Sequence, residues 1–241
     1  MTEYRVLDLF AGLGGFSAAF EESDRWDVTT VEIEERFDPD IQADVFDLRP
    51  SDFDRDFDLV VASPPCTYFS TARNLTKGGD DAWVDGEPGT DPAADALALI
   101  HHTIGLIQGL APEYWFLENP RGMLRKRFRE PTATVWYCQY GDANAKPTDL
   151  WGDHPPIQYR RCWFGNDACG HTRTDSYEVD GKTRGGSVNR QGLLVETDAA
   201  ERAKVPFELS ASIRDATEAA LDGDVPLQTT AADWIAEEGE S

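Results

Sequence analysis

DLFAGLGGFS, residues 8–17, joins an apolar run to a segment with helical spacing. Glycines between a strand and a helix permit a tight turn and let the backbone approach a ligand closely. Gly12, Gly14 and Gly15 depart from the GxGxxG pattern of dinucleotide-binding turns, and no lysine follows them as in a triphosphate-binding loop. The stretch therefore predicts a strand, a glycine turn and a helix, with a ligand site at the turn.

The rest of the chain alternates strand-like and helical segments around this turn. We predict strands at DVTTVEIE (27–34), DLVVASPP (58–65), EYWFLENP (113–120) and TVWYCQYG (134–141), and helices at 94–112 and 207–221. This alternation predicts an α/β fold in which a parallel or mostly parallel sheet is covered on both faces. Ligands bind such sheets at the carboxyl ends of the strands.

Two acidic side chains near this edge suit the sugar and the base of a nucleoside. Glu32 lies twenty residues after Gly12, at the end of the second predicted strand, where a carboxylate can bind a ribose diol. Asp44 could accept a hydrogen bond from an adenine amino group, or it could be a solvated loop acid, and the residues alone leave both readings open.

The chain is strongly acidic. Its 241 residues include 45 Asp and Glu against 22 Lys and Arg, a formal net charge of -23. A scattered acidic surface with few lysines resembles the proteins of extreme halophiles, and we favour that origin over an acidic mesophilic protein, because the self-repulsion needs salt to screen it. The one basic cluster, RGMLRKRFRE (121–130), is the candidate contact for nucleic acid. We expect no membrane span and no signal peptide, and hence the cytoplasm of a salt-loving cell.

SPPCTYFS, residues 63–70, places Cys66 directly after two prolines at the end of a predicted strand. Prolines fix the backbone, and a well-positioned thiolate is a good nucleophile. Glu118, in FLENP, ends another predicted strand at the same edge of the sheet, where a carboxyl can hold and donate a proton. Taken separately, each residue has a structural alternative: a buried thiol, and a carboxylate bonded to backbone amides.

Four segments, in this order and spacing, resemble the cytosine-C5 DNA methyltransferase family: DLFAGLGGFS, VEIEERF, ASPPCTYFS and FLENPRGML. The family's cysteine follows a proline and precedes a Phe-Ser pair, as Cys66 does. Its glutamate–asparagine pair matches Glu118 and Asn119, with Pro120 where valine is usual. The resemblance covers residues 5–141 and implies a Rossmann-like sheet that binds S-adenosylmethionine, with double-stranded DNA as the partner. Compact members borne by phages and viruses are the most similar.

The resemblance also implies a mechanism. Cys66 would attack carbon 6 of a cytosine swung out of the duplex, so that carbon 5 can take a methyl group, while Glu118 binds the ring. The loop from Thr71 to Pro92 would be a lid. The implied cofactor-binding residues are Phe10, Ala11, Gly12, Gly14, Gly15, Glu32, Asp44 and Pro64. The implied DNA contacts are Ser70, Arg121, Arg125 and Arg127.

One catalytic group departs from the family's pattern. The family usually carries Gln-x-Arg-x-Arg after a Tyr-Gly pair, but this chain reads YGDANAKPTDLWG, with Lys146 near the first arginine position. The later segment QYRRC (158–162) offers a rival alignment through Arg160. We therefore predict that Lys146 or Arg160 is the third catalytic residue.

The resemblance divides the chain into regions. Residues 1–141 would form the catalytic and cofactor-binding domain, completed by a C-terminal helix in 201–222. Residues 142–200 would form a small, irregular target-recognition region, and residues 223–241 an acidic tail. We expect a monomer, with a cognate restriction endonuclease as a candidate partner.

Cys162, Cys169 and His171 lie in RRCWFGNDACGH and could bind zinc with His154 or Cys138 as a fourth ligand. Their spacing falls short of the common Cys-x-x-Cys pairs. The sequence therefore favours unpaired thiols in a loose region over a structural zinc site.

Two other functions stay open at this point. The small recognition region is compatible with the same chemistry on RNA or on a free cytosine nucleotide. The missing arginine pair is compatible with a non-catalytic protein that binds S-adenosylmethionine or DNA. The presence of both Cys66 and Glu118 favours a DNA (cytosine-5-)-methyltransferase over these alternatives.

Overall fold

The computed structural model describes residues 4–70, 82–163, 166, 169, 171, 173–179, 182–188, 200 and 203–224. The predicted lid lies outside these ranges from residue 71 to residue 81, and the acidic tail lies outside them from residue 225. Within the described ranges, every helix is too short or too polar to pass through a bilayer.

A seven-stranded sheet forms the centre of the protein. The described residues form these strands, in the central sheet and in two separate hairpins: β1 (Tyr4–Leu9), β2 (Trp26–Glu32), β3 (Ile41–Gln42), β4 (Leu59–Ala62), β5 (Trp83–Val84), β6 (Glu87–Pro88), β7 (Tyr114–Pro120), β8 (Ala133–Trp136), β9 (Pro147–Asp153), β10 (Arg173–Val179) and β11 (Lys182–Val188). The α-helices are α1 (Ala18–Glu21), α2 (Asp91–Leu110), α3 (Leu124–Arg127) and α4 (Phe207–Leu221). The order in the sheet is β3-β2-β1-β4-β7-β9-β8, and β5–β6 and β10–β11 are separate hairpins.

The first five strands of this order run parallel, so their carboxyl ends meet at one edge. This mainly parallel sheet confirms the predicted α/β fold. β9 runs antiparallel to both of its neighbours, β7 and β8. Its residues fall inside the range 142–200 that the sequence assigned to target recognition, yet they pair within the central sheet. The sheet therefore extends to Asp153.

Helices cover both faces of the sheet because successive residues of a strand point to opposite sides. Val6 of β1 packs in a buried cluster with Leu209 of α4. The next residue, Leu7, packs in a second buried cluster with Ile107 of α2. Burial on both faces explains why β1 and β4 are near-continuous apolar runs in the sequence.

The predicted strand TVWYCQYG is a strand only in its first part. β8 ends at Trp136, and Tyr137–Tyr140 form a 3-10 turn that ends at Gly141, whose φ is 93°. The last pair of the β8–β9 ladder sets Trp136 opposite Pro147, and a proline has no amide hydrogen with which to continue a ladder. The chain therefore leaves the sheet at this point.

α4 matches the predicted C-terminal helix and packs on α1, next to the glycine turn. The Ser210 hydroxyl donates a hydrogen bond to the Phe16 carbonyl at 2.6 Å and accepts one from the Ala19 amide at 3.1 Å. At the far end of the helix, Asp222 pairs with Arg25 at 2.6 Å. The last described helix thus holds the first helix in place.

Candidate active site

A cavity of about 480 Å³ opens at the carboxyl ends of β1, β2, β4 and β7. This is where an open parallel sheet binds ligands, and the volume is in the range of small-molecule sites. Its lining includes Asp8, Phe10, Ala11, Gly12, Gly15, Glu32, Asp44, Pro64, Cys66, Glu118, Lys146 and Lys204. The cavity therefore brings together the predicted nucleophile, the predicted acid and every predicted cofactor-binding residue except Gly14.

The glycine turn uses backbone conformations and spaces that favour glycine. Gly12 and Gly14 have φ values of 51° and 68°, in the left-handed region. At Gly15 a Cβ atom would meet the backbone nitrogen of Val205 at 2.6 Å and its oxygen at 2.8 Å. The segment before α4 therefore lies directly against the turn, and only a residue without a side chain fits at position 15.

Glu32 braces the turn from the end of β2. Its Oε2 accepts a hydrogen bond from the Gly12 amide at 3.0 Å. Its Oε1 accepts from the amides of Ile33 at 2.8 Å and Glu34 at 3.2 Å. The two oxygens of a carboxyl group offer about four acceptor positions, so this group is oriented by the backbone and still has capacity for a ligand hydroxyl.

Phe10 and Asp44 lie on the wall of the cavity beside this carboxylate. Phe10 has a φ of 64°, a left-handed conformation that costs energy for a bulky residue and that proteins retain mainly at functional sites. Asp44 Oδ1 accepts a hydrogen bond from the Phe46 amide at 2.9 Å and caps the 3-10 turn Val45–Asp47. Both residues are thus held in fixed positions by local backbone structure.

The backbone on both sides of Cys66 is anchored. The amides of Phe69 and Ser70 donate to the Cys66 carbonyl oxygen, each at 2.9 Å. Before the cysteine, the Asn119 side-chain amide donates to the Pro64 carbonyl at 3.0 Å in a buried hydrogen bond. These contacts tie the loop after β4 to β7, so the thiol keeps a defined position in the cavity.

The buried Glu118 carboxyl has two polar neighbours. The Tyr137 hydroxyl donates to Glu118 Oε1 at 2.8 Å, and Lys146 Nζ lies 3.9 Å from the same oxygen. Burial and the Glu118 carboxyl hold the pKa of Tyr137 well above its usual range, so the phenol stays protonated and remains a donor. Lys146 Nζ also lies 4.3 Å from the centre of the Tyr137 ring and donates to the Ala203 carbonyl at 3.4 Å.

Arg160, the other candidate for the third catalytic group, is not brought to the cavity. Its guanidinium donates to Glu208 Oε2 at 2.6 Å and to the Gln139 carbonyl at 2.8 Å. It also lies over the Tyr140 ring, 5.1 Å from the centre. These contacts hold Arg160 at the surface of α4, about half exposed. Of the two predicted cations, only Lys146 lies beside Glu118.

Two of the three arginines predicted to contact DNA are occupied by acidic partners. Arg125 Nε donates to Asp149 Oδ2 at 2.8 Å, its Nη2 pairs with the other oxygen, and Asp149 is fully buried. Arg127 donates to Glu87 Oε1 at 2.7 Å. These pairs join α3 to β9 and to the β5–β6 hairpin. Both side chains are therefore engaged within the protein, and their contact with DNA stays a prediction.

The other predicted DNA contacts lie side by side at the end of β7. Ser70 pairs with Gly122 in an antiparallel bridge, and a Cβ atom at Gly122 would meet the Phe69 carbonyl oxygen at 2.1 Å. Arg121, one residue earlier, is exposed and forms no ion pair with the described residues. Arg121 is therefore available for a phosphate.

Asp8 is a cavity residue that the sequence analysis missed. It is fully buried in β1, and burial raises the pKa of its carboxyl to about 7 although the adjacent Ser17 opposes part of this effect. Neither carboxyl oxygen makes a hydrogen bond of ordinary geometry to the described residues. The sequence did contain a signal for this residue, namely an acidic side chain inside an apolar strand. A buried acidic side chain is rarely kept without a partner or a ligand.

The weaker metal candidates are not part of this site. Cys162, Cys169 and His171 lie together with Cys138, and none of these four lines the cavity. His154, the other suggested ligand, lies apart from them and stacks on Phe116 with the ring centres 4.5 Å apart.

The chain is similar to known proteins in sequence and in structure. A model of the family described as C-5 cytosine-specific DNA methylase matches residues 4–137. A protein of Frog virus 3 (isolate Goorha), named "Probable DNA (cytosine-5)-methyltransferase", is 34% identical over 176 residues, covering 68% of this chain and 77% of the viral protein. The Type II methyltransferase M.HaeII of Haemophilus aegyptius is 38% identical over 80 residues, 30% of this chain and 25% of that protein.

Among solved structures, the Entamoeba histolytica methyltransferase EhMeth is similar over 66% of this chain and 56% of that chain, with 14% identity and a TM-score of 0.45. The chain thus spans a little over half the length of that structure. The family match contains Cys66 and Glu118, whereas Lys146 lies beyond its end.

Proposed function

This chain belongs to the C-5 cytosine-specific DNA methylase family, and on that premise we propose that it transfers a methyl group to carbon 5 of cytosine in DNA, with Cys66 as the nucleophile. The observation that carries the proposal is the cavity that Cys66 and Glu118 share with the glycine turn. A nucleophile, a carboxyl that can bind the ring and a cofactor turn at one edge of a sheet are what this reaction requires.

The cavity fits S-adenosylmethionine, the cofactor of the family. Glu32 suits the ribose hydroxyls, and Asp44 suits the amino group of the adenine. The buried carboxyl of Asp8 lacks an ordinary hydrogen-bond partner among the described residues and suits a donor or a positive charge on the ligand. Bound there, this cofactor supplies an electrophilic methyl group.

Cys66 makes the cytosine ring reactive. Carbon 5 of cytosine is a poor nucleophile until a thiolate adds to carbon 6. In the proposed reaction a bond would form between Cys66 Sγ and carbon 6, and the electron pair of the ring double bond would move to carbon 5, which would take the methyl group as the bond between that methyl and the sulfonium sulfur breaks. Transfer of the carbon 5 proton to a solvent base and cleavage of the Sγ–carbon 6 bond would then restore the ring and the thiolate. Carbon 6 is not accessible in stacked DNA, so the base must be extruded into the cavity.

Glu118 binds the polar edge of the extruded ring. Tyr137 and Lys146 both contact Oε1, which leaves Oε2 for the ring nitrogen or for the exocyclic amine. The Lys146 ammonium supplies positive charge beside this carboxyl while electron density builds up on the ring. We therefore assign to Lys146 the role that an arginine has in the family pattern.

Target recognition belongs to the region after the sheet. We propose that residues 154–200 read the DNA sequence and that Arg121 and Ser70 contact the DNA near the extruded base. The β10–β11 hairpin supports this proposal, because it is separate from the central sheet and a two-stranded ribbon fits the major groove of DNA.

The Cys66→Ala variant tests the catalytic proposal. The protein is incubated in high salt with duplex DNA and labelled cofactor, with RNA and a free cytosine nucleotide as competitors. We expect incorporation into DNA by the parent protein and none by the variant. DNA that contains 5-fluorocytosine should trap a covalent adduct with the parent, because fluorine cannot leave as the proton does. Equal incorporation by parent and variant would end the proposal.

The finer cellular assignments are also proposals. We propose that the protein acts as a monomer in the cytoplasm of a salt-adapted cell, with a restriction endonuclease as a candidate partner. The net charge of -23 supports the part that concerns salt. Light scattering in molar potassium chloride measures the molar mass of the protein in solution. A mass twice that of one chain would contradict the proposed monomer.

A further inference from the structure

A cluster of soft ligands lies outside the catalytic cavity. Cys138 belongs to the 3-10 turn that follows β8, while Cys162, Cys169 and His171 come from the segment between β9 and β10. One ligand atom from each of these four residues lies within 4.8 Å of the other three. The chain thus brings together ligands from two regions that are separated by a whole strand of the central sheet.

The separations in this cluster are close to those of a tetrahedral zinc site. With zinc–sulfur bonds of about 2.3 Å and zinc–nitrogen bonds of about 2.0–2.1 Å, the ligand atoms of a tetrahedron lie about 3.5–3.8 Å apart. Cys162 Sγ lies 3.6 Å from His171 Nδ1. Every pair of ligand atoms in the cluster lies within 4.8 Å, so side-chain shifts of about 1 Å or less would complete the tetrahedron.

Neighbouring side chains donate hydrogen bonds to the sulfur atoms. Gln139 Nε2 donates to Cys169 Sγ at 3.2 Å, and Asn166 Nδ2 donates to Cys162 Sγ at 3.5 Å. Donors of this kind stabilise the thiolates that bind metals and orient them, which is the usual outer layer of a metal site. The sulfur atoms of Cys162 and Cys169 thus already have donors of the kind that orient metal-bound sulfur.

We propose that Cys138, Cys162, Cys169 and His171 bind a structural zinc ion. Three cysteines and a histidine at tetrahedral spacing form a set that favours zinc over calcium, magnesium or manganese, which prefer oxygen ligands. Each thiol releases its proton to solvent when the metal binds. Four protein ligands fill the tetrahedron and leave no open position for a substrate, so the ion has no part in methyl transfer.

The ion would fix the segment that follows β9 to the catalytic sheet. Cys162 is buried, and the segment that carries it leads within eleven residues to the start of β10 at Arg173. On the other side, Cys138 directly follows Tyr137, which donates to Glu118. Zinc binding would therefore set the root of the β10–β11 hairpin relative to the edge of the catalytic cavity.

Metal analysis of the full-length protein tests the proposal. We expect about one zinc per chain by mass spectrometry of the purified protein, and much less than one in Cys169→Ser and in His171→Gln. Cys66→Ser is the matched control, because it removes the remaining cysteine of the chain, which lies outside the cluster. A chain without zinc that also takes none up from solution would overturn the proposal, as would equal loss of zinc from Cys66→Ser.

Cobalt substitution reports the geometry of the metal site directly. It uses the parent protein, so it does not require that a variant folds. We expect cobalt(II) to give the intense visible bands of a tetrahedral site and a thiolate-to-metal charge-transfer band, both abolished by added zinc. A strong chelator should lower the melting temperature of the parent and leave that of Cys169→Ser unchanged. Octahedral cobalt bands, or iron with an iron–sulfur spectrum, would overturn the assignment to zinc.

Discussion

Lys146 lies near a position where the family pattern has an arginine, and the two cations differ chemically. A guanidinium is planar and forms paired hydrogen bonds with a carboxylate, whereas an ammonium is a compact point charge. Lys146 Nζ lies 3.9 Å from Glu118 Oε1 and also donates to Ala203. We therefore expect its contribution to be mainly electrostatic.

Replacing Lys146 by methionine keeps most of the side-chain volume and removes the charge. We expect the single-turnover rate of methylation to fall about 10²-fold, because a charge preorganised beside the reacting ring is lost. Lys146→Arg should retain more activity than Lys146→Met. Arg160→Met is the control, because it removes the rival cation at the surface, and single-turnover methylation of DNA measures all three. A larger loss in Arg160→Met than in Lys146→Met would contradict the assignment.

Asp8 makes the stability of the ligand-free protein depend on pH. Burial raises the pKa of its carboxyl from the ordinary value of 3.8 to about 7 in the folded protein. A carboxyl whose pKa is raised in the folded state makes its full contribution to stability below about pH 4. That contribution falls by about 1.4 kcal/mol per pH unit as the pH rises from about 4 to about 7. Asp8→Asn should remove this loss.

Denaturant unfolding of the parent and of Asp8→Asn, at fixed high salt and without cofactor, measures the effect of pH. The variant should be similar in stability to the parent near pH 4 and more stable above pH 7. The difference between the two proteins isolates Asp8 from the many other acids. A difference that stays constant across this range would mean that the carboxyl is not the cause.

At the scale of elements, the glycine turn depends on close contact with the segment before α4. A Cβ at Gly15 would meet the backbone of Val205 at 2.6 Å, and backbone atoms cannot move aside as a flexible side chain can. α4 in turn holds α1 through Ser210. The conformation of the cofactor turn therefore depends on residues from both ends of the described chain.

Gly15→Ala should destabilise the protein by about 1–3 kcal/mol, since it overpacks a closely fitted contact, and should weaken cofactor binding. Gly105→Ala is the matched control. Gly105 lies in α2, and a Cβ atom there meets nothing within 4 Å, so alanine should stabilise the helix by about 0.5–1 kcal/mol. Thermal unfolding and cofactor titration of both variants provide the test, and equal effects would refute the argument.

The strongly periodic elements could be predicted from the sequence, and β9 could not. α2 and α4 follow helical spacing, and β1, β4 and β7 are apolar runs with clear ends. PTDLWGD contains a proline, a glycine and two aspartates, and it becomes a strand because β7 and β8 offer pairing partners on both sides.

The motifs predicted most of the cavity but not the contacts within it. Cys66 and Glu118 could be found from their neighbours in the chain. Tyr137 could not, because it reaches Glu118 only where the chain leaves β8 and turns. The ion pair of Arg125 could not be predicted either, since its partner Asp149 lies in β9, a strand that the sequence did not predict.

At the scale of the whole molecule, negative charge opposes both folding and DNA binding. The formal net charge is -23, and DNA phosphates carry the same sign. Salt relieves the repulsion within the protein and between protein and DNA. Salt also weakens every direct phosphate contact, such as the one proposed for Arg121.

Stability should therefore rise with potassium chloride, while DNA methylation should pass through a maximum. The Debye length falls from about 30 Å at 0.01 M salt to about 3 Å at 1 M, so most of the gain in melting temperature should come within this range. Sucrose at equal osmolality is the control for effects other than charge screening. Greatest stability at the lowest salt concentration would contradict this account.

The contact between Gly15 and Val205 has a consequence for synthesis. The glycine turn is translated early, but the neighbour that completes it is translated only after every described strand. A nascent chain can therefore assemble much of its sheet before it is able to retain the methyl donor, and competence for chemistry follows the assembly of the sheet.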